Sequence, residues 1–437
     1  MLARERCENR VCIRYHDATR RNGFAGREGR LAALGPMSKA RLQITEGMRR
    51  FLDYPKFAGP TRMLILETQY FFDQSWRRAA AALGWQTASV RSAMTGSLTR
   101  DDIQQLFVCI GEFKPHFILT SNYAGMDIAG LFARFFEDAR IPYVSWFTDT
   151  PRMILYGREM HLSHYSVAAT WERSYTPHFE ELGFPHIHFM PLATDPELFC
   201  GEPADTFARA LAFVGSSMIQ QTDEALEKHR HLPHVLEAVR QAFDAGRVNR
   251  ETFAEGAATI LGGDLLTSLG ASEQRNVELL LNYEATRRQR AAMAQRLAPL
   301  GLQVRGDAHW LEVLSNVDGA VGYYDDLSGF YRSTAVNLNT TSLQMRYAVN
   351  QRVFDCPAAG GFLITDRQAD VSTFFDPERE VVTYASLDEL EDKVRYYLGR
   401  PEERKEIVRR AQRLVAAEHT HAHRLQGLET FLRERFA

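Results

Sequence analysis

Cysteine is scarce in this chain, long apolar runs are missing, and each shortage removes a class of protein. Five cysteines in 437 residues, Cys7, Cys12, Cys109, Cys200 and Cys356, are odd in number and scattered, with only the first two close together. Neither a disulfide framework nor a zinc knuckle follows from them, and a reducing cytoplasm fits best. No apolar run approaches the roughly 20 residues that cross a bilayer, so no transmembrane segment is expected. The amino terminus, with Arg4, Glu5, Arg6, Glu8 and Arg10, lacks the apolar core of a signal peptide. A net charge of -3 gives no overall basic field, which disfavours nucleic acid as a partner. An anionic ligand would have to be held locally. Neither of the strands that open the two halves, Met63 to Leu66 and Phe213 to Gly215, is followed by Gly-x-Gly-x-x-Gly, so simple dinucleotide binding is disfavoured as well.

What is present is enough for two cores. A chain of this length with 45% hydrophobic residues suits two domains of about 150 to 200 residues each. Residues 1–36 are rich in Arg and Gly and show no period; organised pattern begins near Met37, a possible start residue, and the stretch reads as a flexible tail. From Arg62 onward, short β-rich runs alternate with amphipathic helical stretches. The runs in the first half are Met63 to Leu66, His116 to Thr120, Tyr143 to Phe147, Ser166 to Thr170 and His186 to Met190. Between them lie helices with Trp76, Ala79, Ala80 and Leu83, with Ile103, Leu106, Phe107 and Ile110 after a capping-box-like Thr99 and Asp102, and with Ile128, Leu131, Phe132 and Phe135. The second half repeats the plan with Leu211 to Val214, Leu302 to Arg305, Gly319 to Val321, Ala335 to Leu338, Phe362 to Thr365 and Val381 to Tyr384. Ser386 and Glu389 form a capping box before one helix, Pro401 opens another, and a last helix runs from about His423 to Phe436.

This alternation predicts an α/β protein of two Rossmann-like, doubly wound domains facing a cleft at the carboxyl ends of their strands. The expected division is an extension at 1–61, partly disordered; a first domain at 62–193; a second at 194–415 with a helical insertion at 220–300; and a helix at 416–437 that returns to the first domain. His229, His231 and His234 in the insertion read as solvated, and the alternating His419, His421 and His423 do not share a helix face.

The run Asn350-Gln351-Arg352-Val353-Phe354-Asp355-Cys356-Pro357-Ala358-Ala359-Gly360-Gly361-Phe362-Leu363-Ile364-Thr365-Asp366 resembles the signature of CgeB-like (spore maturation protein type) glycosyltransferases. Gly322-Tyr323-Tyr324-Asp325-Asp326-Leu327, Val336-Asn337-Leu338-Asn339-Thr340-Thr341, Glu418-His419-Thr420 and, in the first half, Pro142-Tyr143-Val144-Ser145-Trp146-Phe147-Thr148-Asp149-Thr150-Pro151 are similar to further parts of that family. The resemblance implies the GT-B fold, a nucleotide-diphosphate sugar as donor substrate, no separate cofactor and an acceptor it does not name. In the wider GT-B group, a glutamate five residues before a glycine accepts hydrogen bonds from the donor ribose; Asp355, with Gly360 and Gly361 beyond it, stands in that place. Many retaining members carry another glutamate eight positions earlier, and Tyr347 stands there instead. Retention or inversion is thereby left open. A sugar-nucleotide epimerase and a silent nucleotide-sugar binding protein remain alternatives.

The remaining candidates rest on residue chemistry. Gly215 ends a strand where a missing Cβ would let backbone amides approach a diphosphate. Arg352 offers a planar fork for phosphate oxygens, or a structural ion pair. Tyr323 offers a ring to a base, or to the core. Asn339 and Thr340, with Thr341 and Gln344, offer polar groups where charge on the leaving phosphate must be met, although Asn339 could equally cap a strand end. Asp149, in a Thr-Asp-Thr-Pro turn, is the candidate for acid/base chemistry toward the acceptor, or a cap for a helix whose first residue is Pro151. No Asp-x-Asp triplet occurs, so metal-independent chemistry is expected.

Overall fold

The computed structural model describes residues 46–68, 72–91, 100–127 and 130–437. The tail at 1–36, Cys7 and Cys12, the cap at Thr99 and the position of Ile128 lie outside them.

Among the described residues twelve strands form two sheets, each six-stranded, and every strand pairing within them is parallel. The first sheet contains β1 (Arg62–Glu67), β2 (Gln86–Arg91), β3 (Phe117–Ser121), β4 (Tyr143–Phe147), β5 (Ser166–Thr170) and β6 (His186–Phe189), in the order β2-β1-β3-β4-β5-β6. The second contains β7 (Arg209–Val214), β8 (Gln303–Arg305), β9 (Val317–Asp318), β10 (Thr334–Asn339), β11 (Leu363–Asp366) and β12 (Val382–Tyr384), in the order β12-β11-β10-β7-β8-β9.

Helices cover both faces of such sheets, so the inner strands have no polar side. Every residue of β3, β4, β5 and β10 is buried, which is why these segments read as unbroken runs. Each fully buried aliphatic or phenyl side chain is worth roughly 1.5–3 kcal/mol, so these strands define the two cores. The edge strand β2, Gln-Thr-Ala-Ser-Val-Arg, has no buried residue, and for that reason it lacks the apolar signal of its neighbours. The expected strand at Gly319 to Val321 falls instead on Val317–Asp318: this edge strand pairs only with β8, at Val304 and Arg305, and needs no apolar run. Among the helices, Ser386 caps Leu387–Leu398 as its sequence indicates, its side chain accepting from Glu389 N, while the Glu389 carboxylate accepts from Ala385 N at 2.8 Å rather than closing the box on Ser386.

The folded part of the first domain includes residues before Arg62. Leu52 and Phe57 are buried, and the Tyr54 hydroxyl donates to Pro115 O at 2.5 Å. Between β7 and β8 the chain forms a series of helices from Ile219–Lys228 to Ala271–Leu297. These helices enclose a small core of their own around Val235, Phe253, Ile260 and Leu280. His229 belongs to that packing: it is buried, with Nδ1 against Ala225 O at 2.8 Å, and His231 faces the Glu273 carboxylate at 3.1 Å. His229 is therefore not the solvated ring its sequence context suggests, because the insertion folds as a compact unit, whereas His231 and His234 stay exposed as expected.

The chain passes between the sheets twice, and the two passages are laced together. Thr194 N donates to His419 O at 2.9 Å and His421 N donates to Thr194 O at 3.0 Å. The final helix, His421–Phe436, packs against Phe72–Ala82 of the first sheet's helical layer. Among the described residues no helix is long and apolar enough to cross a membrane.

Candidate active site

In a doubly wound sheet the ligand crevice opens outside the carboxyl ends of the two strands at which the chain reverses its direction of winding. In the second sheet those strands are β7 and β10, which are paired side by side. Arg352, the first residue of the helix Arg352–Ala358, spans that point. Its Nη1 donates to the Asn339 Oδ1 at 2.6 Å, its Nη2 to the carbonyl of Val214, and its Nε to the Tyr331 hydroxyl at 3.3 Å. Asn339 is therefore the anchor of the arginine rather than a simple strand-end cap; Asn350 Nδ2 also donates to its Oδ1, at 2.7 Å.

A second guanidinium arrives from far away in the chain. Arg290, on the helix Ala271–Leu297, donates through Nη1 to Ser216 O at 2.7 Å. Both groups lie against the Phe213 ring, Arg290 at 5.7 Å and Arg352 at 5.3 Å from its centroid. Among the described residues neither has a carboxylate within ion-pairing distance, and Arg290 Nε is buried without a hydrogen-bond partner. Burial, and then the neighbouring Arg352, bring the Arg290 pKa down to about 10, with Asp307 and Asp366 acting the other way from longer range. Two like charges on one ring, short of counter-charge, describe a place for an anion. Thr340, just past β10, adds a buried hydroxyl with no hydrogen-bond partner among the described residues.

Gly215 lies beside this pair in a way its sequence position only half indicates. Its N–H is spent on Arg305 O at 2.9 Å, so it does not offer that amide to a ligand. What the missing Cβ provides is room: a Cβ would stand 3.0 Å from the Phe213 ring and 3.8 Å from Arg352 Nη2.

Four expected donor-site residues lie elsewhere. Gly360 and Gly361 close the helix Arg352–Ala358 with paired bonds, Gly360 N to Pro357 O and Gly361 N to Cys356 O, both 2.9 Å, with Gly360 at a φ of 86°. This is the left-handed helix stop for which glycine is suited. Because it precedes β11, it sits at the amino edge of the sheet, opposite the crevice. A Cβ on Gly360 would meet the Gly201 carbonyl at 2.8 Å, which is a packing requirement.

Asp355 is the larger correction. It is 1% exposed and turned toward the interdomain passage, where Oδ1 accepts from Thr194 Oγ1 at 2.8 Å and from Gln351 Nε2 at 3.2 Å. Its Oδ2 accepts from the Tyr323 hydroxyl at 3.1 Å. Burial pushes its pKa up to about 8 against the pull of these three donors. Tyr323, expected near a base, serves this cluster and packs edge-on to Phe199 at 5.3 Å. At 1% exposure, where Asp149 at the crevice is only half-buried, this carboxylate is not open to a ribose.

The carboxyl edge of the first sheet is built from acceptors. Asp149 does not cap the short helix Pro151–Leu155, whose N-cap is Thr150. Its Oδ2 accepts from Asn122 Nδ2 at 2.9 Å, next to the end of β3, and its Oδ1 accepts from Gln344 Nε2 at 3.1 Å, on the loop after β10. Burial raises its pKa, and the two amide donors pull it back. Glu172, fully buried after β5, likewise reaches the facing loop: Oε2 accepts from Tyr347 N at 2.8 Å and Ala348 N at 2.9 Å, and Oε1 from Ser174 N at 2.9 Å. The place that would hold the earlier glutamate of the wider group is thus occupied by a tyrosine whose backbone amide docks the first domain.

The helical insertion completes the closure. Arg152 Nε faces Glu278 Oε1 at 3.3 Å, and its Nη1 donates to Ala254 O at 2.8 Å. Burial raises the pKa of Glu278 while Arg152 opposes the shift.

Comparison with known proteins bears on the fold. Residues 284–430 match the glycosyl transferase-like family, a span that includes Arg290, Tyr323, Asn339, Arg352 and Asp355 but neither Asp149 nor Gly215. No curated protein matches the sequence. Among solved structures, sucrose-phosphate synthase from Thermosynechococcus elongatus is similar at a TM-score of 0.50 and 10% identity, over 86% of this chain and 99% of that one. A glycosyltransferase from Rickettsia africae aligns at 0.48 and 10% identity, over 86% and 98%. T4 phage BGT in complex with its UDP-glucose substrate aligns at 0.47 and 10% identity, over 86% and 99%. The two parallel sheets and the first of these likenesses define the GT-B fold.

Proposed function

We propose that the chain is a glycosyltransferase of the CgeB-like kind, a cytoplasmic hexosyltransferase that takes a sugar from a nucleotide diphosphate without a metal ion. The observation that carries the reading is the pair Arg290 and Arg352, short of counter-charge on the Phe213 ring at the point where the second sheet changes direction. Paired guanidiniums suit a diphosphate because each offers a planar fork to its oxygens. The match of residues 284–430 to a glycosyl transferase-like family supports the same conclusion.

The residues divide the chemistry between the two sheets. An acceptor hydroxyl gives its proton to Asp149 as its oxygen bonds to the anomeric carbon. The bond from that carbon to the phosphate oxygen breaks, and the leaving diphosphate keeps the electron pair, where Arg290 and Arg352 meet the charge. A single displacement of this form inverts the anomeric centre.

Calorimetry with UDP, GDP, TDP and CMP sugars, followed by an assay of nucleotide release, tests the reading. One donor should bind, and Arg290→Ala and Arg352→Ala should each weaken it by about tenfold or more, the value of one hydrogen bond to a charged group. Unchanged affinity in both variants overturns the donor site. Interconversion of donors would indicate an epimerase instead, and saturable binding without turnover a binding protein.

A further inference from the structure

The contact between the domains holds a residue whose side-chain and backbone polar groups, four in all, are engaged. Gln344 Nε2 donates to Asp149 Oδ1 at 3.1 Å, and its Oε1 accepts from Thr150 N at 3.0 Å. Its backbone carbonyl accepts from the Tyr175 hydroxyl at 2.7 Å, and its backbone N donates to Asn282 Oδ1 at 3.2 Å. Three of these partners are in the first domain or reach out from it. The fourth is in the long helix of the insertion. The amide cannot turn over, because Thr150 N–H requires an oxygen where Oε1 stands; Nε2 must therefore face the carboxylate.

We propose that Gln344 is a positioning residue, which fixes Asp149 from across the domain interface so that the proton acceptor is assembled only while the two domains are closed. The inference rests on the glycosyltransferase reading above. Its physical basis is the choice of donor. Asp149 is held by two amides, Asn122 from its own sheet and Gln344 from the opposite domain, and among the described residues no cation pairs with it. A guanidinium in either place would hold the carboxylate far down the pH scale and make it a weak base. Neutral amides orient it and leave its burial free to raise its basicity. The carboxylate in turn acts on the Tyr283 phenol on the helix Ala271–Leu297, whose pKa is raised by burial first and then by Asp149, so that this phenol stays neutral across the working range. Without Gln344, Asp149 would keep only the Asn122 bond and rotate.

Gln344→Glu separates this role from a merely structural one. Glutamate keeps the acceptor for Thr150 N–H and turns the donor that faces Asp149 into a second carboxyl, so the pair must share a proton. Nucleotide release is measured as a function of pH for wild type, Gln344→Glu and Gln344→Met, and donor affinity is measured by calorimetry on the same proteins. The expected result is a fall in kcat of about a hundredfold in both variants, with donor affinity within about threefold of wild type. In Gln344→Glu the acid limb of the profile should also move up by about one pH unit or more. Wild-type kcat and an unmoved acid limb in the variants, beside an active wild type, overturn the inference and leave the transferase reading intact. A wild type that releases no nucleotide from any donor overturns that reading and the inference with it. Should Gln344→Glu fail to fold, Gln344→Met, which keeps the volume and loses both bonds, still reads the kcat effect, and unchanged kcat there is equally fatal.

Discussion

The two carboxyl edges that face each other in this molecule differ in the sign of what they leave unsatisfied. The edge of the first sheet presents the carboxylates of Asp149 and Glu172, held by amides and backbone N–H groups. The edge of the second presents Arg290 and Arg352, held by carbonyls and an asparagine oxygen. In each case the protein supplies neutral partners where it could have supplied an ion of the opposite charge. Neutral partners fix geometry and leave the charge available, so one edge is suited to taking a proton and the other to meeting a developing anion.

The sharpest way to break the comparison is to reopen the interface. Arg152→Ala leaves Glu278 buried without its cation, and a loss of about 3–5 kcal/mol in urea unfolding is expected; a change below about 1 kcal/mol would mean the insertion does not hold the first domain. Next in size is the charge of the second edge. Arg290→Ala with Arg352→Ala should weaken the preferred nucleotide sugar by about a hundredfold or more in calorimetry and leave the fold intact, because among the described residues neither ion-pairs with a carboxylate that its loss would orphan. Glu172→Ala should follow. It strips buried backbone N–H groups of their acceptor at a cost of about 1–3 kcal/mol for each left unsatisfied, and hydrogen exchange at Tyr347 and Ala348 reads it directly.

The smallest change at acid pH belongs to Asp355→Asn. The folded pKa of about 8 lies above the unfolded value of about 3.9, so the stabilising contribution of the neutral carboxyl is complete below pH 4. It is lost progressively as pH rises through 8. Wild type should therefore lose stability between these limits relative to Asp355→Asn, and the two should converge at the acid end. Parallel curves would show that the carboxyl is not the buried, hydrogen-bonded group that joins helix, passage and Tyr323. Donor affinity unchanged in the same variant would agree with a carboxylate facing the joint; a loss of about tenfold or more would return it to the ribose.

Much of the fold was legible because parallel strands buried on both faces read as apolar runs, as at Tyr143–Phe147 and Ser166–Thr170. The strand Gln86–Arg91 was not, since an edge strand with no buried residue keeps its polar side chains. Within the candidate site, Arg352, Asn339 and Thr340 were legible as polar residues beside a strand end. Arg290 was not. It lies in a long helix that buries Glu278, Asn282, Glu284 and Thr286, and buried polar residues erase the contrast by which a functional face is recognised. Asn122 and the cross-domain role of Glu172 carried no local signal either, because Asp149, Tyr347 and Ala348 are on other elements.

The sequence by itself determined the two doubly wound halves, the places where their buried strands end, and hence which loops face the cleft, because periodicity, capping and burial along one strand are local. Only the tertiary structure decided what those loops do. It turned Asp355 into the joint, put Gly360 and Gly361 at the edge away from the crevice, and brought Arg290 beside Arg352 and Gln344 beside Asp149. Each of these depends on which side chains meet across elements distant in the chain, and no spacing along the sequence encodes such a meeting.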